Sequence, residues 1–390
     1  MLDKKLEDIK ESDLDELVAN AVTESKTIEF KKELPGAADS DKREFLADVS
    51  SFANATGGDL IYGIEAIKGV AKNIIGLESV GIDDAILKWE GVLRTGLEPR
   101  MRFEIHRVAL ANGRTVLIIR ILKSWTGPHR VTFRAHDEFY TRGAAGKFIM
   151  NVADLRTAFN LTDSILERIG KFRTERISEI ANRHTPVPLS SPGCVIVHLV
   201  PIEAFEPGAA IDLEPLVKNR GTMKPMYCNG WDHRYTYEGY FAYQGGDKEK
   251  TRAFVHVYRN GIIEAVVSDV IDIDAGRALL FDWMYEKEIP TSTQEYLNLQ
   301  KQLGVRCPVY VFLTFVGVKG CRLRSAESDS FIDPQFALDK DIIDLPGTVI
   351  EDWENVDTIA IFRPMFDLIW NACGYPRSIN FDENGAWRSR

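Results

Sequence analysis

The sequence predicts an α+β protein, with an N-terminal mixed α/β domain over residues 1–185 and a second α/β domain over 186–390. Three observations carry that reading. At 390 residues the chain is longer than a usual single domain. Apolar residues at helical spacing alternate along it with short β-branched and aromatic runs. Each half holds an Asn-Gly dipeptide between apolar runs, Asn112-Gly113 and Asn260-Gly261, which signals a two-residue hairpin.

In chain order, Leu6, Ile9, Leu14, Leu17 and Val18 mark an amphipathic helix over 6–22. A short strand follows over 27–31. Its alternation turns Ile28 and Phe30 to the core, and Glu29 and Lys31 to the other face. Asp41 with Glu44 resembles a capping box opening the next helix, whose buried stripe is Phe45, Val49, Phe52 and Ala53. Gly57-Gly58 ends that helix and starts a strand over 60–64. A further helix is expected over 83–97, then a hairpin of 103–109 and 115–122. The Pro128-His129 loop leads to a strand ending Tyr140-Thr141-Arg142-Gly143. Asn151 caps a long helical region reaching about residue 181, with Leu155, Phe159, Ile165, Ile169 and Ile177 along it. After Pro186-Val187-Pro188 the pattern resets. A buried strand over 194–200 is followed by a second hairpin of 254–258 and 262–267, a strand over 309–316 and a last helix near 366–373.

Composition narrows the function. A hydrophobic content of 45% leaves ample core for a soluble globular chain. The five cysteines form no Cys-x-x-Cys pair and no His stands at zinc spacing, which argues for reduced, structural thiols and against a zinc finger. The N-terminus is charged without an apolar core, so no secretory signal is expected, and no run approaches the ~18 apolar residues of a membrane span. A cytoplasmic protein, with no membrane partner, is the expectation. A net charge of −10 counts against a passive nucleic-acid coat. It leaves room for a local basic groove, because attraction acts over about a Debye length.

The most specific chemistry lies near the N-terminus. Glu24 and Glu29 stand five residues apart with Lys31 two residues on, and Gly57-Gly58 follows at the start of the next strand. Carboxylates suit hard cations such as Mg²⁺ or Mn²⁺, and a neighbouring lysine stabilises charge on a phosphodiester in its transition state. On an ideal strand Glu24 and Glu29 face opposite ways, so they converge only if the chain turns between them. The plainer reading is a solvated strand face with an exposed ion pair. Lys123, His129, Arg130, Arg134, Arg142 and Lys147 cluster late in the domain as candidates to line a phosphate groove. Gly57-Gly58 lacks a following Gly-Lys-Ser/Thr, and Gly143-Ala144-Ala145-Gly146-Lys147-Phe148 fails the same test, which weakens an ATP-binding reading.

From about residue 23 to 159 the chain resembles the Schlafen-type AlbA-like domain, often labelled in bacteria a DNA-binding or divergent AAA domain. The resemblance rests on Glu24-Ser25, Ile28-Glu29-Phe30-Lys31, Ser51-Phe52-Ala53-Asn54, Gly57-Gly58, Tyr62-Gly63-Ile64, Pro128-His129 and Tyr140-Thr141-Arg142-Gly143, in that order. It implies binding of RNA or DNA. Some Schlafen proteins cleave tRNA and rRNA with divalent metal, using two glutamates at the spacing of Glu24 and Glu29. Their third acid falls here at Glu65 or Ala66. The resemblance thus implies Mg²⁺ or Mn²⁺ held by Glu24, Glu29 and Glu65, with Lys31 aiding catalysis and Arg142 on a strand near the site. Residues 190–390 show no second copy of the motif, so a two-lobed cleft would call for a homodimer or a divergent second lobe. The expected function is a metal-dependent endoribonuclease acting on tRNA or other structured RNA in stress or phage defence. A non-catalytic DNA-binding transcriptional regulator and an ATP-binding protein are the alternatives.

Overall fold

The computed structural model describes all residues except 1, 3, 135, 207, 245–248, 269, 275–276, 325–335, 355, 383–384 and 389–390. The chain divides into two units, Met1–Ser164 and Ile165–Arg390. The first contains α1 (Glu11–Ala19), β1 (Ile28–Lys31), α2 (Asp39–Ala53), β2 (Gly58–Tyr62), β3 (Ile64–Ile67), β4 (Val70–Ile74), α3 (Ile82–Gly96), β5 (Leu97–Glu98), β6 (Phe103–Ala109), β7 (Thr115–Ile121), β8 (Arg130–Val131), β9 (Glu138–Gly143) and β10 (Gly146–Ile149). A long helix, α4 (Val152–Ala181), follows.

The central sheet of this unit has the order β1-β2-β7-β6, with β1 and β2 parallel and the other neighbours antiparallel. Strand alternation feeds two cores. Leu60, Tyr62, Leu117, Ile119 and Ile121 pack with Phe45, Val49 and Phe52 of α2 and Trp89 and Leu93 of α3. Ile28, Phe30, Ile61, Val116 and Ile118 pack with Leu14 and Leu17 of α1. Since β7 is covered on both faces, all seven of its residues are buried, as expected of a doubly covered strand. A second sheet, β10-β9-β8-β5, lies against α2 through β9.

Several elements depart from expectation for local reasons. The helix read over 6–22 is a 3₁₀ turn at Leu6–Asp8 and then α1, because Asp13 Oδ2 accepts the Lys10 N–H at 2.9 Å and opens a new helix there. The Asp41/Glu44 capping box does not form. Helix α2 starts at Asp39 behind Ala38, with no side-chain cap. The β3–β4 hairpin, turned by Gly69 at φ +74°, was not anticipated. At α4 the expected cap is present. Asn151 Oδ1 accepts from Ala153 N at 2.8 Å and Asp154 N at 3.0 Å, and Asp154 Oδ2 accepts the Asn151 N–H at 3.1 Å.

The division between units falls inside α4, ahead of the 185/186 boundary read from the proline-rich reset. From Ile165 onward the helix belongs to the second unit's core: Ile177 and Ile180 join Ile196, Phe254 and Val266. That unit continues with β11 (Cys194–Pro201), α5 (Glu214–Lys218), β12 (Trp231–Tyr235), β13 (Gly239–Gln244), β14 (Ala253–Tyr258), β15 (Ile263–Val267), β16 (Ile271–Asp274), β17 (Arg277–Phe281), α6 (Asp282–Gln302), β18 (Val309–Val316), β19 (Arg322–Arg324), β20 (Ile342–Asp344), β21 (Thr348–Ile350) and α7 (Thr358–Ala372). Among the described residues its main sheet runs β12-β13-β14-β15-β11-β18-β20, with β21 also on β18. Its opposite face packs Tyr285 and Ile289 of α6 and Phe362 and Phe366 of α7. Among the described residues no helix is long and apolar enough to cross a membrane.

Candidate nucleic-acid interface

The alternation of β1 puts Glu29 and Lys31 on the same side of the strand, and both meet charges from α2, β9 and β10. Glu29 accepts from Lys31 Nζ at 2.6 Å and from Arg142 NH2 at 2.7 Å. Lys31 also reaches Asp48 Oδ2 at 3.2 Å, and Lys147 binds Asp48 Oδ1 and Glu44 Oε1 at 2.5 Å each. The Arg142 guanidinium lies 3.6 Å from the centroid of the Phe52 ring, and its Nε and NH1 are buried without a hydrogen-bond partner. Three acids thus meet three cations, so the network is electrically closed. Burial works to raise the Glu29 carboxyl, but Lys31 and Arg142 outweigh it and hold the group below the usual range. Burial and then the Glu29 charge push the Asp48 carboxyl up, against the pull of Lys147 and Lys31.

The other two carboxylates of the expected triad are engaged elsewhere. Glu24 Oε1 accepts the Phe30 N–H at 3.1 Å, because the chain turns at Ser25 and carries that side chain back along β1. Glu65 accepts from Lys32 Nζ and from Asn73 Nδ2, both at 3.0 Å, and the Asn73 bond and then Lys32 lower its carboxyl. Glu24, Glu29 and Glu65 are therefore each satisfied by separate partners rather than turned toward one ion. Among the described residues no group of three or more His, Cys, Asp or Glu is placed to hold a metal ion. These residues as arranged do not fit Mg²⁺ or Mn²⁺, and no catalytic step is derived through either. Asp48 is the charged residue missed in the sequence. It sits between Phe45 and Phe52 on the apolar stripe of α2 at 2% exposure, and a lone acid in such a stripe was its signal.

The turn after α2 has a structural job. Asn54 Nδ2 donates to the carbonyls of His129 and Tyr140 at 2.8 Å each, and its Oδ1 accepts the His129 N–H at 2.6 Å. Ser124 N–H donates to Ala53 O at 3.0 Å. Gly57, at φ +74°, lies so close to this segment that a Cβ there would come within 2.7 Å of Ile121 O and 2.8 Å of Lys123 N. Residues 123–129 are thereby clamped to the end of α2. Beside them opens a cleft of about 340 Å³, lined in part by Asn54, Lys123, Trp125, Pro128, Phe148 and Asp154. Lys123 Nζ stands 3.8 Å from the centroid of the Trp125 ring, and Phe148 is 48% exposed.

This geometry joins the Ser51–Asn54, Pro128-His129 and Arg142 segments of the sequence in one place. Residues 24–151 match the family described as Schlafen, AlbA_2. The Schlafen-like segment covers about a third of the chain, and the whole of the second unit lies outside it. Two solved structures are similar to parts of the chain. The DIP2311 protein from Corynebacterium diphtheriae shares 21% identity over 36% of this chain, at a TM-score of 0.26, and the chain spans only 26% of that structure. The N-terminal domain of an ATP-dependent DNA helicase RecG-related protein from Nitrosomonas europaea shares 25% identity over 33% of this chain and 84% of its own, also at a TM-score of 0.26. No curated protein matches the chain.

The six candidate phosphate ligands of the Schlafen-like segment separate into two groups. His129 is fully buried, and its Nδ1 donates to Pro99 O at 2.6 Å. Burial pushes the ring below its usual pKa, against the pull of the Pro99 carbonyl, and its place in the loop is structural. Arg142 is near the expected place but buried as the counter-ion of Glu29, and Lys147 is held by Glu44 and Asp48. These three are corrections to the sequence reading. The remaining three stay near the surface: Arg130 pairs with Glu98 at 2.7 Å and Asp137 at 3.0 Å, Arg134 is exposed beside Asp39, and Lys123 lines the cleft.

Proposed function

We propose that the Schlafen-like unit binds nucleic acid without cleaving it, as the gripping part of a DNA- or RNA-binding regulator. The observation that carries this reading is the closed Glu29–Lys31–Arg142 network, which leaves the expected metal ligand already neutralised. Its electrostatics support a polyanionic partner. Between residues 100 and 147 there are ten Lys and Arg against three acids, although the whole chain carries −10. The surface pairs of Arg130 and Arg134 are cheap to exchange for phosphate, since exposed ion pairs are worth about 0–1 kcal/mol. The buried pair of Arg142 is not, because leaving Glu29 unpaired would cost several times as much.

The test incubates the full chain with labelled tRNA, single-stranded DNA and duplex DNA, with Mn²⁺ and then with chelator. Binding that ignores the chelator, leaves the strands intact and weakens with rising salt is the expected result. Arg130→Glu with Arg134→Glu should weaken it. The endoribonuclease reading, with Mg²⁺ or Mn²⁺ on Glu24, Glu29 and Glu65, requires Glu29 to leave Lys31 and Arg142. Chelator-sensitive cleavage abolished by Glu29→Ala would establish that reading and overturn this one.

A further inference from the structure

We propose that the cleft beside residues 123–129 receives an unpaired nucleobase stacked on Trp125, so that the partner is a single-stranded polynucleotide. This rests on the nucleic-acid reading above and goes beyond it by naming a site and a strand state. The cleft, at about 340 Å³, lies within the ~300–1,000 Å³ range of small-molecule pockets. Its lining combines the aromatic residues Trp125 and Phe148 with the polar residues Asn54, Ser124, Thr141 and Thr157. Flat apolar faces beside hydrogen-bonding edges are what a base requires, and bases inside a duplex have both already occupied.

The charges distinguish which end of a nucleotide enters. Asp154 on the cleft wall repels a phosphate, whereas Lys123 attracts one. Lys123 now covers the Trp125 ring with its ammonium 3.8 Å from the centroid. A base would take that face and release the lysine to the neighbouring phosphate. The exchange is favourable: stacking on an aromatic ring is worth about 5- to 150-fold in affinity per base, against about 2- to 5-fold for an exposed cation–π contact. The clamp from Asn54 and Gly57 holds the loop before any ligand arrives, so little ordering opposes binding.

The test measures fluorescence anisotropy of the full chain with a labelled single-stranded oligonucleotide, a duplex of the same length and an abasic strand of the same length. Expected are binding of the single strand at least tenfold tighter than the other two, a loss of about 5- to 150-fold in Trp125→Ala, and near-native binding in Trp125→Phe. A circular-dichroism melt identifies any variant that fails to fold. In that case Lys123→Ala, which keeps the ring, should bind more weakly and lose about one unit of salt slope, while keeping the preference for the single strand over the abasic one. A duplex or an abasic strand bound as tightly as the single strand, or no effect of Trp125→Ala in a folded protein, overturns this inference while leaving the binding reading intact. No binding to any strand overturns both.

Discussion

Asn54 grips His129 with both ends of its amide: Oδ1 accepts the His129 N–H at 2.6 Å, and Nδ2 donates to the His129 carbonyl at 2.8 Å. The same Nδ2 donates to Tyr140 O at 2.8 Å, so one side chain ties the end of α2 to the Pro128-His129 loop and to β9. Asn54→Ala leaves three backbone groups without this partner, and each unpaired buried group costs about 1–3 kcal/mol. The expected loss, with partial access to water, is about 2–4 kcal/mol in urea unfolding. Asn54→Asp keeps the acceptor for His129 N–H and should fall between. A variant as stable as the parent would remove the clamp from this account.

Arg142 and Glu29 form the second relationship on which the unit depends. Arg142→Ala leaves Glu29 buried with Lys31 as its remaining cation, and breaking a buried pair costs about 3–5 kcal/mol. The pH dependence follows from the directions of the shifts. Glu29 is held below the usual carboxylate value, so its contribution is present above about pH 4.5 and is lost as pH falls through its lowered value. Asp48 is raised, so its share is greatest below its ordinary value and is lost as pH rises through the raised one. Urea unfolding against pH should therefore lose its acid limb in Glu29→Gln and its opposite limb in Asp48→Asn. An unchanged profile in both would show that the network does not couple to folding.

How much of this was legible in the sequence depends on whether a feature is local. The alternation of β1, the hairpin at Asn112-Gly113 and the Asn151 cap each depend on neighbours within a few residues, and the structure keeps them. Helix α6 was not seen because Pro290 stands inside it, where a proline usually ends a helix. The site misled for the opposite reason. Convergence of Glu24, Glu29 and Glu65 is a tertiary property that spacing alone does not settle. Glu24 turns back on the Phe30 N–H, and Arg142, over a hundred residues on, takes the place at Glu29 that an ion would need.

In the second unit Glu264 is fully buried and accepts Arg176 Nε and NH2 at 3.0 Å each, and His198 Nε2 at 3.0 Å. Burial opposes its charge, yet His198 and Arg176 bring its carboxyl down to about 2. Arg176→Ala should destabilise this unit by about 3–5 kcal/mol, read as an earlier urea midpoint. Replacing both members of the ion pair, Arg176→Leu with Glu264→Leu, should recover part of that loss, because no charge is then stranded although buried His198 loses its acceptor. A double variant no better than the single would show that packing rather than charge dominates there.

Glu286 should give the same unit a pH dependence of opposite sense. Its Oε1 accepts Trp370 Nε1 at 2.6 Å, and its Oε2 accepts the Ser378 hydroxyl at 2.6 Å and Asn380 Nδ2 at 2.9 Å. Burial outweighs those donors and pushes the carboxyl up to about 7, against an ordinary 4.5. The unfolded chain ionises first. Stability from the protonated group is fully present below about pH 4.5 and disappears as pH rises through about 7. The shift corresponds to about 3 kcal/mol, at 1.36 kcal/mol per pKa unit. Glu286→Gln cannot ionise and should flatten the stability profile between pH 5 and 7, as measured by urea unfolding at half-unit steps. If the parent protein is instead most stable at pH 7 and the variant follows it in parallel, the three donors hold an ionised carboxylate and burial is not the controlling effect.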